Sequence, residues 1–574
     1  MTFKELKKNI KKDFSGFKQI KLALLGDSST QLLAQAIRGS GYINKLNIMV
    51  FDANFNQIER LISNVSSEFY AFTPDYTVIF EAGHKLIQKY NMLGENERKA
   101  FAENQFERIH KFTDFLQNTI KTKVIWFNYA EEDDRVFGNY ANKVQSSFIY
   151  QQRKLNFLLS EYSVNKLGFL IFDISSIQNK YGRNVMFSPS IYVNTESVLS
   201  IDILPVVAGS IARMVAATSG QMKKCLILDL DNTLWGGVIG DDGLENIKLG
   251  QLGIGKAFTE FQSWIKKLQQ RGIIICVCSK NTEAIAKEPF EKHPDMILHL
   301  KDISVFLANW DSKVDNLKRI QGTLKISFDS MVFLDDNPFE RNLVRETIPD
   351  VFVPELPQDP ADYLEYLYSI DLFETSSYSI EDSYRTEQYQ LQAKIEEESS
   401  LFANEDDFLK SLKMVSNVNH FTPFSIPRVA QLSQRSNQFN LRTIRYTDDD
   451  LKRVVESGHY ITFSFTLEDK FGDAGIICAV ILEILNEKQL FIDSWFMSCR
   501  VLKRGMENFV FETLVNYARG KGYQILLGEY IPTEKNILVK DFLLNLGFIK
   551  SDSIFVFEIN SYQGKNNFIK IKEN

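Results

Sequence analysis

Two aspartates one residue apart, Asp229 and Asp231, stand directly after the apolar run Cys225-Leu226-Ile227-Leu228. Carboxylates this close repel one another, and a divalent cation is the ordinary relief for that repulsion. Magnesium suits such a cluster, because it takes oxygen ligands and keeps water and substrate phosphate in its shell. A second acidic pair, Asp335-Asp336, follows another apolar run, Met331-Val332-Phe333-Leu334. Between the two pairs come Ser279-Lys280-Asn281, where GIIICVCS ends, and Lys313 in the string NWDSK. A hydroxyl and an ammonium can hold phosphoryl oxygens and offset the charge that develops on them, so the chemistry this set could do is phosphoryl transfer. Trp235-Gly236-Gly237 follow Thr233 with one residue between, and the two glycines would let the backbone approach an anion closely, with a tight turn as the competing explanation.

These residues need elements to bring them together. An apolar run of strand length, then a helix pattern, then another apolar run predicts a parallel sheet, and ligands bind beyond the carboxyl ends of its strands. CLIL, GIIICVCS and MVFL are such runs, and FTEFQSWIKKLQQRG reads as a helix ending at glycine. The same alternation occurs earlier, in KLALLGDSS, LNIMVFDANF, DYTVIFEAG and TKVIWFNYA, with helical segments between. After the proline-rich VFVPELPQDPADY the chain turns polar and helical from about Ser377 to Leu412. It then gives strands at HYITFSFTLED, AGIICAVILEIL, QLFIDSWFMS and YQILLGEYI around the helix GMENFVFETLVNYARGKG, a mixed α+β pattern. The expected organisation is an α/β domain over 1–220, a central Rossmann-like domain over 221–370, a helical linker over 371–410 and a mixed α+β domain over 411–574. No sizeable insertion separates Thr233 from the helix near Phe258, so no large cap is expected over the cleft.

Composition sets outer limits. At 574 residues with 44% hydrophobic and 24% charged, the chain can form several cores, and disorder is not its default. A net charge of −7 gives no basic footprint for nucleic acid. The lysine-rich start MTFKELKKNIKKDF lacks the apolar core of a secretory signal, and no run approaches the roughly 20 apolar residues of a membrane span, so the expectation is a cytoplasmic protein without a membrane partner. The five cysteines, Cys225, Cys276, Cys278, Cys478 and Cys499, have no C-x-x-C spacing and read as reduced thiols.

The order Asp-x-Asp, Ser, Lys, Asp-Asp resembles the motifs of the haloacid dehalogenase superfamily, and the fuller string DLDNTLWGGVIGDDG is similar to its FkbH-like branch. The resemblance implies that Asp229 is the nucleophile, Asp231 the general acid/base, and that Ser279 and Lys313 hold the phosphoryl group. It further implies a magnesium ion on Asp229, Asp231, Asp335 and Asp336, Asp231 giving its backbone carbonyl, with Thr233, Trp235, Gly236, Gly237, Lys280 and Asn281 on the substrate side. Such an enzyme splits one displacement into two through an aspartyl phosphate. FkbH-like proteins are linked to dephosphorylating 1,3-bisphosphoglycerate and loading the glyceryl unit onto an acyl carrier protein, which makes a small phosphorylated substrate and a carrier protein the implied partners. Cys278, beside Ser279, is the internal thiol candidate.

The flanking domains carry weaker resemblances. QLSQRSNQFNLRTIRY with FGDAGI resembles the C-terminal part of FkbH-like proteins, of GNAT acyltransferase type. There the loop Ser498 to Gly505 would receive a phosphopantetheine arm or coenzyme A, with Arg500, Lys503, Arg504, Gly505 and Asn536 as candidate contacts. The GNAT pattern has glycine near Lys503, and only Gly505 stands here. Gln438 and Asn440 are either site groups or turn formers. At the N-terminus Gly26-Asp27-Ser28 resembles the nucleophile turn of SGNH hydrolases, but Asp202-Ile203-Leu204-Pro205 lacks the family's histidine. His84 is better placed than His110 to stand in, and a binding or scaffolding role is favoured over esterase chemistry. Two alternatives to the phosphotransferase reading remain: a coenzyme A-dependent acyltransferase, and a non-catalytic carrier-protein scaffold.

Overall fold

The computed structural model describes residues 1–574 apart from Ser379, Ser400, Leu401, Ala403, Lys503, Glu534, Lys565, Asn566, Glu573 and Asn574. The chain divides into two compact units, Met1–Ala216 and Ala217–Asn574. Among the described residues no helix is long and apolar enough to cross a membrane.

The first unit is built on five strands, β1 (Lys18–Gly26), β2 (Leu46–Asp52), β3 (Tyr76–Phe80), β4 (Lys123–Phe127) and β5 (Phe169–Phe172). They lie in the order β2-β1-β3-β4-β5, every pair parallel. Helices cover both faces: Leu33 and Ile37 join Leu22, Leu24 and Val78 in one core, and Ile109 and Leu155 join Ala23, Leu25 and Ile79 in the other. Burial on both faces is why these strands read as continuous apolar runs rather than as alternating ones.

Among the described residues the second unit contains two sheets. Strands β6 (Cys225–Leu228), β7 (Ile274–Ser279), β8 (Val305–Ala308) and β9 (Met331–Leu334) pair in parallel in the order β8-β7-β6-β9. The helix Gly253–Gln270 buries Phe258, Phe261, Ile265 and Leu268 on one face of this sheet, a 3.6-residue stripe. The helix Lys313–Leu324 packs Val314, Leu317, Ile320 and Leu324 on the other.

The C-terminal sheet follows from β10 (Val415–Ser416), β11 (Val418–Asn419), β12 (Tyr460–Asp469), β13 (Gly472–Asn486), β14 (Gln489–Met497), β15 (Ile525–Glu529), β16 (Ile549–Ser551), β17 (Ile554–Glu558) and β18 (Lys570–Ile571). Its order is β16-β17-β15-β14-β13-β12-β10-β18, with β11 also on β12. β12, β13 and β14 form an antiparallel meander, and β14 then pairs β15 in parallel across the helix Met506–Gly520. Helix Arg385–Ser399 lies between the two sheets in sequence, and helix Ile426–Arg435 between β11 and β12. The fold is thus α/β with parallel sheets, ending in a mixed sheet. Strands β5 and β8 are absent from the sequence reading, because each is a four-residue run of FLIF or VFLA with no alternation or turn signal strong enough to set it apart.

Candidate active site

Register brings the acidic residues together. β6 pairs β9 with Leu228 opposite Leu334, so Asp229 and Asp335, the next residue of each strand, leave the sheet side by side. The Asp229 amide still donates to the Leu334 carbonyl at 2.9 Å, which fixes the first aspartate at the strand end. β7 lies on the other side of β6 and delivers Ser279 at the same edge.

Oxygens of Asp229, Asp335 and Asp336 all lie within 4.8 Å of one another. Lys313, at the start of its helix and with a side chain only 3% exposed, ion-pairs Asp229 Oδ2 at 2.9 Å and also Asp335. Burial alone would push the ammonium toward neutrality, but these two carboxylates outweigh it and hold the proton well above the ordinary lysine range. Burial, and then the charge of Asp229, push Asp335 up to about 7 and raise Asp336 as well. Three anionic oxygens with one ammonium between them leave an excess of negative charge. Hard oxygen donors at this spacing can hold a divalent cation.

The Asp231 carboxylate lies outside that triad. Its Oδ1 accepts from Trp235 Nε1 and from the Ile239 amide, both at 3.0 Å, and its Oδ2 from Asn281 Nδ2 at 3.2 Å. Burial raises its pKa, and these donors pull against the rise. With two donors on Oδ1, the more lightly bonded Oδ2 is the oxygen able to carry a proton.

The loop after Asp231 is held by its own backbone. Asn232 sits at φ +53° and its side chain accepts from the Gly237 amide at 2.9 Å. Gly237 sits at φ +97°, a conformation strained for any side chain, and a Cβ there would also lie 2.6 Å from Asp242 Oδ2. Gly236 exchanges backbone hydrogen bonds with Lys248 at 3.2 and 2.7 Å. The turn is therefore what the two glycines serve. Trp235 is fully buried and orients Asp231, which corrects its expected place against substrate. Thr233, likewise fully buried, accepts from the Asp336 amide at 3.2 Å and ties the two acidic loops together. Lys280 pairs with Glu340 at 2.6 Å at the rim, and Asn281 is committed to Asp231 and to the Thr282 amide. Ser279 is 2% exposed at its strand end.

Cys278 is corrected as a thiol acceptor. It is fully buried, directs its thiol toward the Lys313 carbonyl at 3.8 Å, and burial pushes its pKa far up, so it has neither access nor thiolate character. The sequence reading also missed Arg341, whose Nη1 donates to the carbonyls of Asp335 and Asp336 at 2.8 and 2.7 Å and fixes the turn carrying both acids. The signal was present in DDNPFER: Asn337 caps the next helix, its side chain accepting from the Phe339 amide at 2.9 Å, and Pro338 starts it.

The C-terminal candidates separate. Gly505 takes φ +77° ahead of the helix Met506–Gly520, in keeping with a tight loop, and Arg500 is buried with its Nε on Ser498 Oγ at 3.2 Å. Lys503 lies outside the described residues. Arg504 is ion-paired to Asp469 at 2.9 Å. Asn536 is corrected as a ligand contact: fully buried, it donates to the carbonyls of Asn440 and Ile531 at 2.9 and 3.0 Å and accepts from the Thr533 amide at 2.7 Å, which uses its amide up in a turn. Asn440 is buried in the same way, between Thr443 and Ile444, whereas Gln438 lines a cavity.

In the first unit Ser28 is fully buried with no hydrogen-bond partner for its Oγ among the described residues. His84 stacks on Phe187, with Nδ1 3.1 Å from Glu132 and Nε2 3.3 Å from Arg183. Burial, and then Arg183, lower its pKa to about 4. His110 pairs with Asp114 along its own helix.

Comparison with known proteins adds identity to this geometry. Residues 21–216 match the family model described as FkbH, N-terminal domain. No curated protein matches the chain. The crystal structure of the N-terminal part of the protein BF1531 from Bacteroides fragilis, described as containing a phosphatase domain complexed with Mg, is 54% identical; the match covers 66% of this chain and 100% of that one, at a TM-score of 0.63. The ribosomal-protein-S18-alanine N-acetyltransferase from Escherichia coli is matched over 26% of this chain and 98% of its own, at 14% identity and a TM-score of 0.21, too slight a likeness to bear on function. With more than half of its residues identical over the whole of the Bacteroides fragilis structure, and its first domain matching the family model, this chain belongs to the FkbH-like family.

Proposed function

We propose that the protein is a magnesium-dependent phosphatase or phosphotransferase of haloacid dehalogenase type that works through a phosphorylated Asp229. The observation that carries this reading is the triad of Asp229, Asp335 and Asp336 within 4.8 Å, with the Lys313 ammonium bridging two of them. Magnesium would be held by these carboxylates and by the Asp231 carbonyl, where it would offset their charge and that of the phosphoryl oxygens. A magnesium-bound relative with a phosphatase domain supports the same reading.

The chain's own residues then divide the work. An Asp229 oxygen attacks phosphorus; the new O–P bond forms as the bond to the leaving oxygen breaks, and that oxygen takes a proton from Asp231 Oδ2. Lys313 and Ser279 hold the phosphoryl oxygens during the transfer. In the second half Asp231 accepts a proton from water or another acceptor, which attacks phosphorus and releases Asp229. Trp235, Asn281 and the Ile239 amide keep Asp231 aimed throughout.

We read the first sheet as SGNH-like without esterase activity, and the C-terminal sheet as a GNAT-like platform. The substrate class we propose is a phosphoglycerate carrying an acyl phosphate: Asp229 takes the ester phosphoryl group, and the thiol of an acyl carrier protein docked on the C-terminal domain attacks the acyl-phosphate carbonyl, forming the thioester as inorganic phosphate leaves. Turnover of 1,3-bisphosphoglycerate with magnesium and candidate carrier proteins, followed by intact-mass spectrometry, tests this. A glyceryl adduct on a carrier is the expected result. Phosphate release without any adduct would reduce the activity to that of a plain phosphatase, and no release from parent protein would overturn the reading.

A further inference from the structure

At the opposite edge of the four-stranded sheet lies a cavity of about 90 Å³. Its sheet side is Lys224, Ile274 and Ser330, at the amino ends of β6, β7 and β9, and its other wall comes from the helices Arg385–Ser399 and Ile426–Arg435 and the segment Met497–Arg500. At ~3.3 Å per residue the strands hold it roughly 15 Å from the acidic triad, too far for one small ligand to touch both.

Charge is what sets this cavity apart. Six cationic side chains line it, Lys224, Lys325, Arg385, Arg428, Arg435 and Arg500, and among the described residues no carboxylate does. Several of these cations donate to neutral oxygens: Lys224 to the Arg435 carbonyl at 3.0 Å, Arg385 to the Gly272 carbonyl at 3.1 Å, and Arg500 to the side chains of Gln388 and Ser498. The buried carboxylate of Asp382 sits behind the wall and serves both Arg385 and Arg435. Burial lowers Lys224 to about 8 and draws Arg500 down as well. Enclosing Lys224 and Arg500 on neutral oxygens is costly unless an anion completes the cavity.

A second observation points the same way. Ser436 is 6% exposed and lines the cavity, yet among the described residues its hydroxyl has no hydrogen-bond partner, and neither has Arg435 Nε. Both are donors left over. Beside them Ile274, Leu432 and Phe439 supply an apolar patch. Guanidinium forks match phosphate oxygens, a free hydroxyl adds a donor, and the patch suits the organic part of an ester.

We propose that this cavity is a binding site for a phosphate ester, separate from the Asp229 centre. It goes beyond the phosphotransferase reading and does not depend on it. Cys499 makes it measurable: it lines the cavity and is partly exposed, whereas Cys225, Cys276, Cys278 and Cys478 are buried.

The test is alkylation of Cys499 in the folded full-length protein without magnesium, followed by peptide mass spectrometry, with 3-phosphoglycerate, pantetheine 4′-phosphate, inorganic phosphate or sulfate added. A ligand at ten times its dissociation constant leaves about one site in eleven open, so about tenfold slower alkylation is expected for at least one ester. Which ester protects tells a small substrate from a prosthetic arm. Protection must survive D229N and be lost in both K224M and R500Q. Equal protection by sulfate and by the esters would mark an adventitious anion site and overturn the proposal. So would no protection by either ester, loss of protection in D229N, or its persistence in either folded cavity variant. Should K224M fail to fold, the ester-against-sulfate comparison on the parent protein and R500Q still decide.

Discussion

Replacing Lys313 by methionine removes the charge that holds the acidic triad together. Two unit charges 4.8 Å apart repel by about 3.5 kcal/mol at an effective dielectric of ~20. On the same footing an ammonium 2.9 Å from Asp229 Oδ2 returns about 6 kcal/mol before its own desolvation is counted. The desolvation of a side chain only 3% exposed takes back much of that sum, and removing one partner of a buried pair typically costs about 3–5 kcal/mol. K313M should therefore unfold at clearly lower temperature in chelator, and added magnesium should return part of the loss by supplying positive charge to the same carboxylates. Single-turnover phosphoryl transfer should fall by about 10²–10³-fold, the usual cost of one donor to a transferring anion. Thermal scans with and without magnesium, together with rapid-quench assays, measure both quantities. A K313M protein as stable as the parent in chelator, with transfer undiminished, would refute the electrostatic reasoning at the centre of this site.

Three further outcomes follow from the same geometry. D231N, which keeps the shape but loses the proton, should lower turnover by about 10²–10⁴-fold, with the smallest loss for an activated aryl phosphate that needs no protonation on leaving; equal losses for all leaving groups would remove Asp231 as the acid. G237A forces a side chain onto a φ of +97° against Asp242 and should cost about 1–3 kcal/mol, read as a lowered unfolding midpoint. In the first unit burial, and then Glu81, raise Asp27 to about 7, so the folded protein binds a proton that the unfolded chain has already released. Stability must then fall as pH rises from about 4 to about 7. D27N should therefore stabilise the protein at pH 8 and lose that advantage by about pH 4, where the unfolded chain's aspartate is protonated too; equal midpoints at pH 8 would contradict it.

Much of the active site was legible because it obeys one rule. In a parallel sheet the carboxyl ends of neighbouring strands share an edge, so an aspartate or serine placed just after an apolar run is already placed in space. Asp229, Ser279 and Asp335 each follow such a run, and Lys313 follows an N-cap serine, Ser312, whose hydroxyl accepts from the Val314 amide. The loop residues carried no such address. Trp235, Gly236 and Gly237 invite a ligand when read in a line, but backbone closure and the indole bond to Asp231 claim them. Asn536 and Cys278 failed for a related reason: a polar or reactive side chain announces chemistry, and only packing shows whether it is already satisfied or sealed.

What the amino-acid order determined by itself is therefore local: strand ends, a capped helix, the acidic residues at one sheet edge and the family they mark. What the tertiary structure alone decided is long-range: the Arg341 grip on both acidic carbonyls, and the cationic cavity assembled from Lys224, Arg385, Arg435 and Arg500. Periodicity encodes which face of an element is apolar. The meeting of charges hundreds of residues apart depends on how those faces pack, and that is settled only when the whole chain has buried them.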